Sequence, residues 1–160
     1  GALIAIERDI GTRAIAETGT TIRAPLTQEL LTTVFFPNTP LHDGGVIIRD
    51  GTIVAAGCIF PLTRDPDMSK SLGTRHRAAV GLTEETDALV IVVSEETGAI
   101  GLAFKGRLIR DLGRQRLERH LVKHLVRSQP EESQPLRSRL KELQQDMTKP
   151  EVPDREQDDR

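Results

Sequence analysis

The sequence predicts an α/β domain built on a mixed central β-sheet flanked by helices, and three observations carry that expectation. Two β-branched runs, Val46-Ile47-Ile48-Arg49 and Thr52-Ile53-Val54-Ala55-Ala56, are separated by Asp50-Gly51. That dipeptide suits a type I′ hairpin turn, whose two central residues both need positive φ. Ala88 to Val93 is an unbroken apolar run, the strongest core-strand candidate in the chain. Segments with apolar residues at helical spacing lie between such strands, and that interleaving, with hairpins among it, belongs to a mixed sheet.

In chain order, Ala2-Leu3-Ile4-Ala5-Ile6 reads as a buried strand. Ile10 to Thr18 contains helix formers and closes at Gly19, a C-terminal cap. Thr20 to Ala24 is a short strand. Thr27 is placed to cap a helix over Gln28 to Phe36, where Leu30, Leu31, Val34 and Phe35 share one face. Pro37-Asn38-Thr39-Pro40 ends it ahead of Leu41-His42-Asp43-Gly44-Gly45. After the hairpin the apolar run extends to Phe60 and stops at Pro61, and the polar Leu62 to Leu72 reads as a loop. Ala78-Ala79-Val80 reads as the start of a short helix. Beyond the Ala88–Val93 strand, Ser94 to Gly98 turns the chain into Ala99–Phe104, and Lys105-Gly106 turns it again into Arg107–Arg110.

The character of the chain changes after Asp111. Gln115 to Val126 carries Leu117, Leu121, Val122 and Leu125 at helical spacing and reads as amphipathic. Residues 128–160 are linker-like, then polar and charged with prolines, as in a second polar helix followed by a disordered tail. The expected organisation is a core over 1–111, an amphipathic helix over 112–127 and a polar helix and tail over 128–160.

Composition excludes several functions. At 160 residues the chain can bury a real core, and its formal charge of −2 is unlike a general nucleic-acid binder. Only Phe35, Phe36, Phe60 and Phe104 are aromatic, so stacking platforms for single strands are missing. The lone Cys58, in an apolar run, rules out an internal disulfide and reads as a buried inert thiol. No apolar run approaches the roughly 20 residues of a membrane span. The chain opens at Gly1, directly in an apolar run; the expectation is a fragment of something longer, with an anchor upstream.

Three polar clusters interrupt the apolar pattern. In Gly73-Thr74-Arg75-His76-Arg77, two guanidiniums on alternate residues precede a helix start. Guanidinium forks and helix-start N–H groups both suit phosphate oxygens, which makes this a phosphate claw unless it is incidental surface charge. His42-Asp43-Gly44-Gly45 offers metal-ligand chemistry next to backbone that can approach a ligand closely, or else a plain turn. Ser94-Glu95-Glu96 can serve a metal or a ribose, or simply be a solvated turn. Carboxylates that can hold Mg²⁺ or Mn²⁺, together with a guanidinium claw, are what phosphoryl or nucleotidyl transfer requires. No Walker-type loop and no Gly-x-Ser-x-Gly elbow is present. His120 and His124 have the spacing of metal ligands, with a solvated helix face as the competing reading.

The same residues carry a family resemblance. Pro37 to Gly45, Leu72 to Ala79 and Val92 to Gly98 resemble the ordered signature of the diadenylate cyclase domain, and the likeness runs from Gly1 to about Asp111. It is nearest to the membrane-anchored bacterial form, which implies a place at the cytoplasmic side of the membrane. The resemblance implies a domain of that fold that condenses two ATP molecules into cyclic di-AMP and two pyrophosphates, with Mg²⁺ or Mn²⁺. On the residues that match, Asp43 would activate the ribose 3′-hydroxyl, and His42, Asp43 and Glu96 would serve the metal. Gly73, Thr74, Arg75, His76 and Arg77 would contact phosphates, with Asp43, Arg75 and Arg77 as the catalytic set. Ser94 and Glu95 would touch phosphate or ribose. Leu41, Gly44, Gly45, Gly57 and Phe60 would complete the nucleotide pocket, with Leu41, Gly57 and Phe60 against the adenine. Gly45 departs from the family's usual alanine, and the expectation is that Gly45→Ala leaves turnover within a few-fold.

Two 3′-hydroxyls must each attack the other nucleotide's α-phosphate, so a head-to-head homodimer is expected as the active form, with regulatory proteins as further partners. The alternative is a nucleotide-binding sensor that keeps the pocket without turnover. A third reading takes the C-terminal helices as a protein-interaction module.

Overall fold

The computed structural model describes residues 1–69 and 72–126. The second polar helix and tail expected over 128–160 lie outside the described residues. A seven-stranded sheet organises the domain, in the order β2-β4-β3-β1-β5-β6-β7. The strands are β1 (Ala2–Ile6), β2 (Thr20–Pro25), β3 (Gly45–Arg49), β4 (Thr52–Cys58), β5 (Leu89–Val93), β6 (Ile100–Phe104) and β7 (Arg107–Ile109). Only β1 and β3 pair in parallel, Ile4 opposite Val46, and every other neighbouring pair is antiparallel. A parallel pair needs a crossover. Here it consists of α1 (Arg13–Ala16), β2 and α2 (Gln28–Val34).

The hairpin between β3 and β4 has the expected turn, with φ of 47° at Asp50 and 70° at Gly51. Lys105 and Gly106 repeat the device between β6 and β7, at 50° and 70°. Thr27 caps α2, its Oγ1 accepting the Leu30 N–H at 3.1 Å.

Alternation along the strands splits the core into two faces. Ile47, Val90, Val92 and Ala103 point to one face, against Ala78, Ala79, Val80 and Leu82 of α4 (Thr74–Glu85). Val46, Ile48 and Ile53 point to the other, against Val34, Leu30 and Leu31 of α2. On that second set, Leu89, Leu102 and Leu112 receive Leu117, Leu121 and Leu125 of α5 (Arg114–Leu125). The amphipathic segment past Asp111 is thus packed on the sheet, and Gly1–Val126 forms one compact unit. Val122, expected on the packed face, is 54% exposed.

Three local expectations change. The helix expected over Ile10–Thr18 is only Arg13–Ala16. Side-chain acceptors take the preceding N–H groups instead: Asp87 accepts from Asp9 and Ile10, and Glu7 from Thr12. The loop expected over 62–72 contains a four-residue helix, α3 (Pro66–Ser69). The helix expected from Ala78, α4, begins at Thr74, four residues earlier, so the arginine cluster forms its first turn.

Glu7 is a polar anchor for this frame. Its carboxylate accepts from Arg49 Nε and Nη2, from the Thr12 N–H at 2.8 Å and from Thr12 Oγ1 at 2.5 Å. Burial alone would raise its pKa, but the hydrogen bonds from Arg49 and Thr12 outweigh it and hold Glu7 at about 2. Cys58 is fully buried, and burial pushes its thiol up to about 11, as an inert core cysteine requires.

Candidate active site

The three polar clusters converge at Arg75, at the start of α4. Gly81 fixes where that helix lies, because any β-carbon there would fall 2.6 Å from Thr63 N and 2.7 Å from Leu62 C. Only glycine lets α4 approach the Pro61–Thr63 segment so closely. The Thr63 N–H donates to Arg77 O at 3.1 Å, which ties that segment to the first turn.

Arg75 reaches both remaining clusters. Its Nη1 is ion-paired with Glu95 Oε1, and its Nη2 donates to the His42 carbonyl at 3.3 Å. The Nε atoms of Arg75 and Arg77 are buried donors with no partner among the described residues. Buried N–H groups are rarely left so, and a guanidinium in this state is one built to receive an anion. Residues two apart on a helix point about 200° from each other. The expected claw therefore divides: Arg75 faces the cavity described below, whereas Arg77 is not part of its wall.

The His42-Asp43-Gly44 loop lies over the end of β4. Gly44 has φ of 96°, and a β-carbon there would come 2.7 Å from Cys58 O. Gly57, at φ 65°, sits beneath Asp43 O and Leu41 Cδ2. Asn38 takes a left-handed φ of 63°, and Thr39 Oγ1 contacts the carbonyls of Phe36 and Val34, which fixes the approach to the loop. His42 Nδ1 lies 2.5 Å from Thr39 O, so that nitrogen carries the proton and Nε2 is left as an acceptor. The Asp43 side chain is exposed.

Phe60 is displaced from its expected role. It is 5% exposed and belongs to the core, and its ring lies over Gly45, where a β-carbon would come within 2.7 Å of three ring carbons. It offers no face to adenine. Its neighbour Ile59 is the outward apolar side chain, 70% exposed. Gly45 is consequently tight against Phe60, which overturns the reason for expecting Gly45→Ala to be harmless.

Ser94, Glu95 and Glu96 sit in the β5–β6 turn. Ser94 Oγ accepts the Thr97 N–H at 3.2 Å, so its hydroxyl proton stays available to a ligand. A cavity of about 520 Å³ opens between this turn and α4. Gly73, Thr74, Arg75 and His76 line one wall and Ser94, Glu95 and Glu96 another, with Arg110 and Asp111 completing it. Burial, then the nearby Arg110 charge, holds His76 below the usual imidazole range. Leu41, His42, Asp43, Gly44, Gly45, Gly57, Phe60 and Arg77 are outside this lining. Arg110 and Asp111 are not among the expected site residues, Arg110 being read as the end of a strand and Asp111 as the end of the core; a charged pair directly after the last short strand was the available signal.

The chain matches the profile of the family described as DisA bacterial checkpoint controller nucleotide-binding (DAC) over residues 1–108. It belongs to the DAC family. The DAC domain is 52% identical over 121 residues to cyclic di-AMP synthase CdaA of Bacillus subtilis, covering 76% of this chain and 44% of that protein. It is 50% identical over 126 residues to a diadenylate cyclase of Listeria monocytogenes, covering 79% and 46%. It therefore spans under half the length of these relatives. Among solved structures, a double-cysteine mutant of DacA from Staphylococcus aureus is 49% identical at a TM-score of 0.75, over 77% of this chain and 82% of that one. A Bacillus cereus structure titled a hypothetical membrane spanning protein is 48% identical at a TM-score of 0.67, over 70% and 55%. Among the described residues of the DAC domain, no helix is long and apolar enough to cross a membrane.

On α5, the rings of His120 and His124 stack 6.4 Å apart, and His124 lies 4.6 Å from the Phe104 ring. Burial lowers the His124 pKa, and the charges of Lys123, Arg8, His120 and Lys105 add to it. Such a cation-rich setting does not suit a metal, and among the described residues no three metal-ligating side chains gather anywhere.

Proposed function

We propose that this domain is a diadenylate cyclase, joining two ATP molecules into cyclic di-AMP and releasing two pyrophosphates. The observation that carries the reading is Arg75, which bridges the His42 and Glu95 clusters and presents, with Arg77, buried guanidinium N–H groups that lack a partner. The names of the CdaA and Listeria relatives support the same reaction.

Each half-reaction forms a bond from a ribose 3′-oxygen to the α-phosphorus of the opposite ATP and breaks the bond from that phosphorus to the bridging oxygen. The electron pair leaves with pyrophosphate, and the 3′-hydroxyl proton passes toward Asp43. Arg75 and the unpaired N–H groups at the start of α4 stabilise the charge that develops on phosphate oxygens. Ser94 and Thr74 add hydroxyl donors at the cavity wall. Leu41, Gly57 and the exposed Ile59 provide apolar surface for adenine. The imidazole of His42, through Nε2, and the carboxylates of Asp43 and Glu96 have the donor chemistry to hold Mg²⁺ or Mn²⁺. Among the described residues no three such ligands gather, and Glu96 lies in the cavity wall apart from His42 and Asp43, so an ion would draw on His42 and Asp43 or on Glu96 and complete its coordination with the nucleotide. When bound, that ion neutralises phosphate charge.

One domain with one site cannot close the ring, so the active species is a pair of domains facing each other. The test is incubation of the purified domain with ATP and Mn²⁺, with Asp43→Asn as control. Cyclic di-AMP from the wild type and at least a hundredfold less from Asp43→Asn is expected. Linear product alone, or ATP binding without turnover, would sink the reading, the latter in favour of a sensor.

A further inference from the structure

The cavity beside Arg75 extends past its two motifs to a wall made by Arg110 and Asp111. Arg110 comes directly after β7, where the chain is held in place. Asp111 takes φ of 53°, a left-handed conformation that costs a non-glycine residue about 1 kcal/mol or more. The next residue, Leu112, is buried and donates its N–H to Ile100 O at 2.8 Å. The backbone is thereby pinned with Arg110 and Asp111 at the cavity. Arg110 is exposed, and among the described residues its guanidinium makes no ion pair or side-chain hydrogen bond that a ligand would have to displace. Its charge is close enough to be felt by His76 on the opposite wall.

Direction follows from Arg75. One end of its guanidinium touches the loop that carries Asp43, and the other touches Glu95 in the cavity wall. Asp43 itself is not in that wall. The cavity thus opens on the side of Arg75 away from the His42–Asp43 loop, beyond the guanidinium that meets the first phosphate. A polyphosphate there would face Glu95, Glu96 and Asp111, and Arg75 alone cannot offset both those carboxylates and the ligand.

We propose that Arg110 is a phosphate-binding residue of this site, holding the β- and γ-phosphates of ATP and then the departing pyrophosphate. The identity of the ligand rests on the cyclase reading. Arg110 discriminates by phosphate number: it adds affinity for triphosphate and pyrophosphate and none for a monophosphate, whose single phosphate stays at Arg75.

The experiment compares wild type with Arg110→Ala by calorimetric titration with ATP, AMP and pyrophosphate in the presence of Mg²⁺, alongside thermal melting. Arg110→Ala is expected to weaken pyrophosphate and ATP about tenfold or more, as loss of a charge-assisted hydrogen bond does, and to leave AMP within about twofold. Pyrophosphate binding that does not change, or equal losses for ATP and AMP, would overturn the proposal. Should Arg110→Ala melt early, Arg110→Gln carries the same comparison. If the wild type forms no cyclic product but Arg110→Ala still loses pyrophosphate selectively, the cyclase reading falls and Arg110 keeps its role. If the wild type cyclises ATP and Arg110→Ala binds pyrophosphate normally, only the role of Arg110 falls.

Discussion

Gly45→Ala tests how the loop bearing Asp43 is seated. A β-carbon at residue 45 would fall within 2.7 Å of three carbons of the Phe60 ring, well inside van der Waals contact. The ring cannot swing away freely, because Phe60 is 5% exposed and packed among the core residues beneath α4. Overfilling of this kind costs about 1–3 kcal/mol, or a fall in Tm of about 2–10 °C for a chain this size. The strain is one residue from Gly44, whose positive φ and tight packing on Cys58 leave the loop little room to absorb it. Displacement reaches Asp43, where an error of about 1 Å can cost about a hundredfold in rate. Turnover is expected to fall by about tenfold or more. Phe60→Leu makes room, so the double variant should be more stable than the sum of the single effects by at least about 0.5 kcal/mol. Urea melts of the four proteins measure that coupling, and initial rates of cyclic di-AMP formation measure the functional half. A Gly45→Ala protein that melts and turns over like wild type, with no coupling to Phe60→Leu, would refute the argument. Alanine at this position would then be an ordinary substitution; on the present packing it requires a different neighbour at residue 60.

Two further outcomes follow from named groups. Glu7 ordinarily titrates near 4.5 but is held at about 2 in the fold. A depressed carboxylate contributes stability that is complete above pH 4.5 and is lost as pH falls from there through 2, a loss of about 3 kcal/mol at most. Glu7→Gln should therefore destabilise the domain at pH 7 and flatten the pH dependence of urea unfolding between pH 5 and pH 2.5, and an unchanged slope would remove Glu7 as its cause. Replacing Arg75 and Arg77 together by alanine should abolish cyclic product with the fold intact. Of the single variants, Arg75→Ala should carry most of the loss, because only Arg75 lines the cavity; equal losses would show that the two act as one claw after all.

What was legible in the sequence was whatever local chemistry decides. Asp50-Gly51 turns because both residues tolerate positive φ, and Lys105-Gly106 because Gly106 does, Lys105 being held at 50° by the hairpin. The apolar runs of β1, β3 and β5 are strands because no other placement buries them, and Thr27 caps α2 by its own hydroxyl. The misreadings have non-local causes. The start of α1 is lost to Asp87, 77 residues away from Ile10. The start of α4 was hidden because Thr-Arg-His-Arg has no apolar period, and the helix is held there by packing at Gly81 rather than by propensity. Phe60 reads as a pocket aromatic when taken with the neighbouring Leu41 and Gly57, but one residue of strand phase turns it into the core and leaves Ile59 outside. Arg110 lies 35 residues beyond Arg75, and only the sheet order, which closes β5, β6 and β7 into adjacent strands, brings it to the same cavity.

On the cyclase reading, the geometry also bears on the pairing of two domains. Within one domain, Arg75 stands between an exposed Asp43 and a cavity that Asp43 does not line. A carboxylate that activates a hydroxyl must be within hydrogen-bond reach of it, and the hydroxyl of a nucleotide cannot reach its own α-phosphate in line without closing a small strained ring. On the cyclase reading, the exposure of Asp43 is then a requirement rather than an accident, since the hydroxyl it serves meets phosphorus bound across an interface. The pairing of Arg75 with Glu95 fits the same arrangement. Glu95 is 58% exposed and, among the described residues, is the acid paired with that guanidinium, so it satisfies the cation until phosphate displaces it. A solvated carboxylate is cheap to displace. The ion pair therefore keeps Arg75 aimed at the cavity without making the empty site much more stable than the filled one.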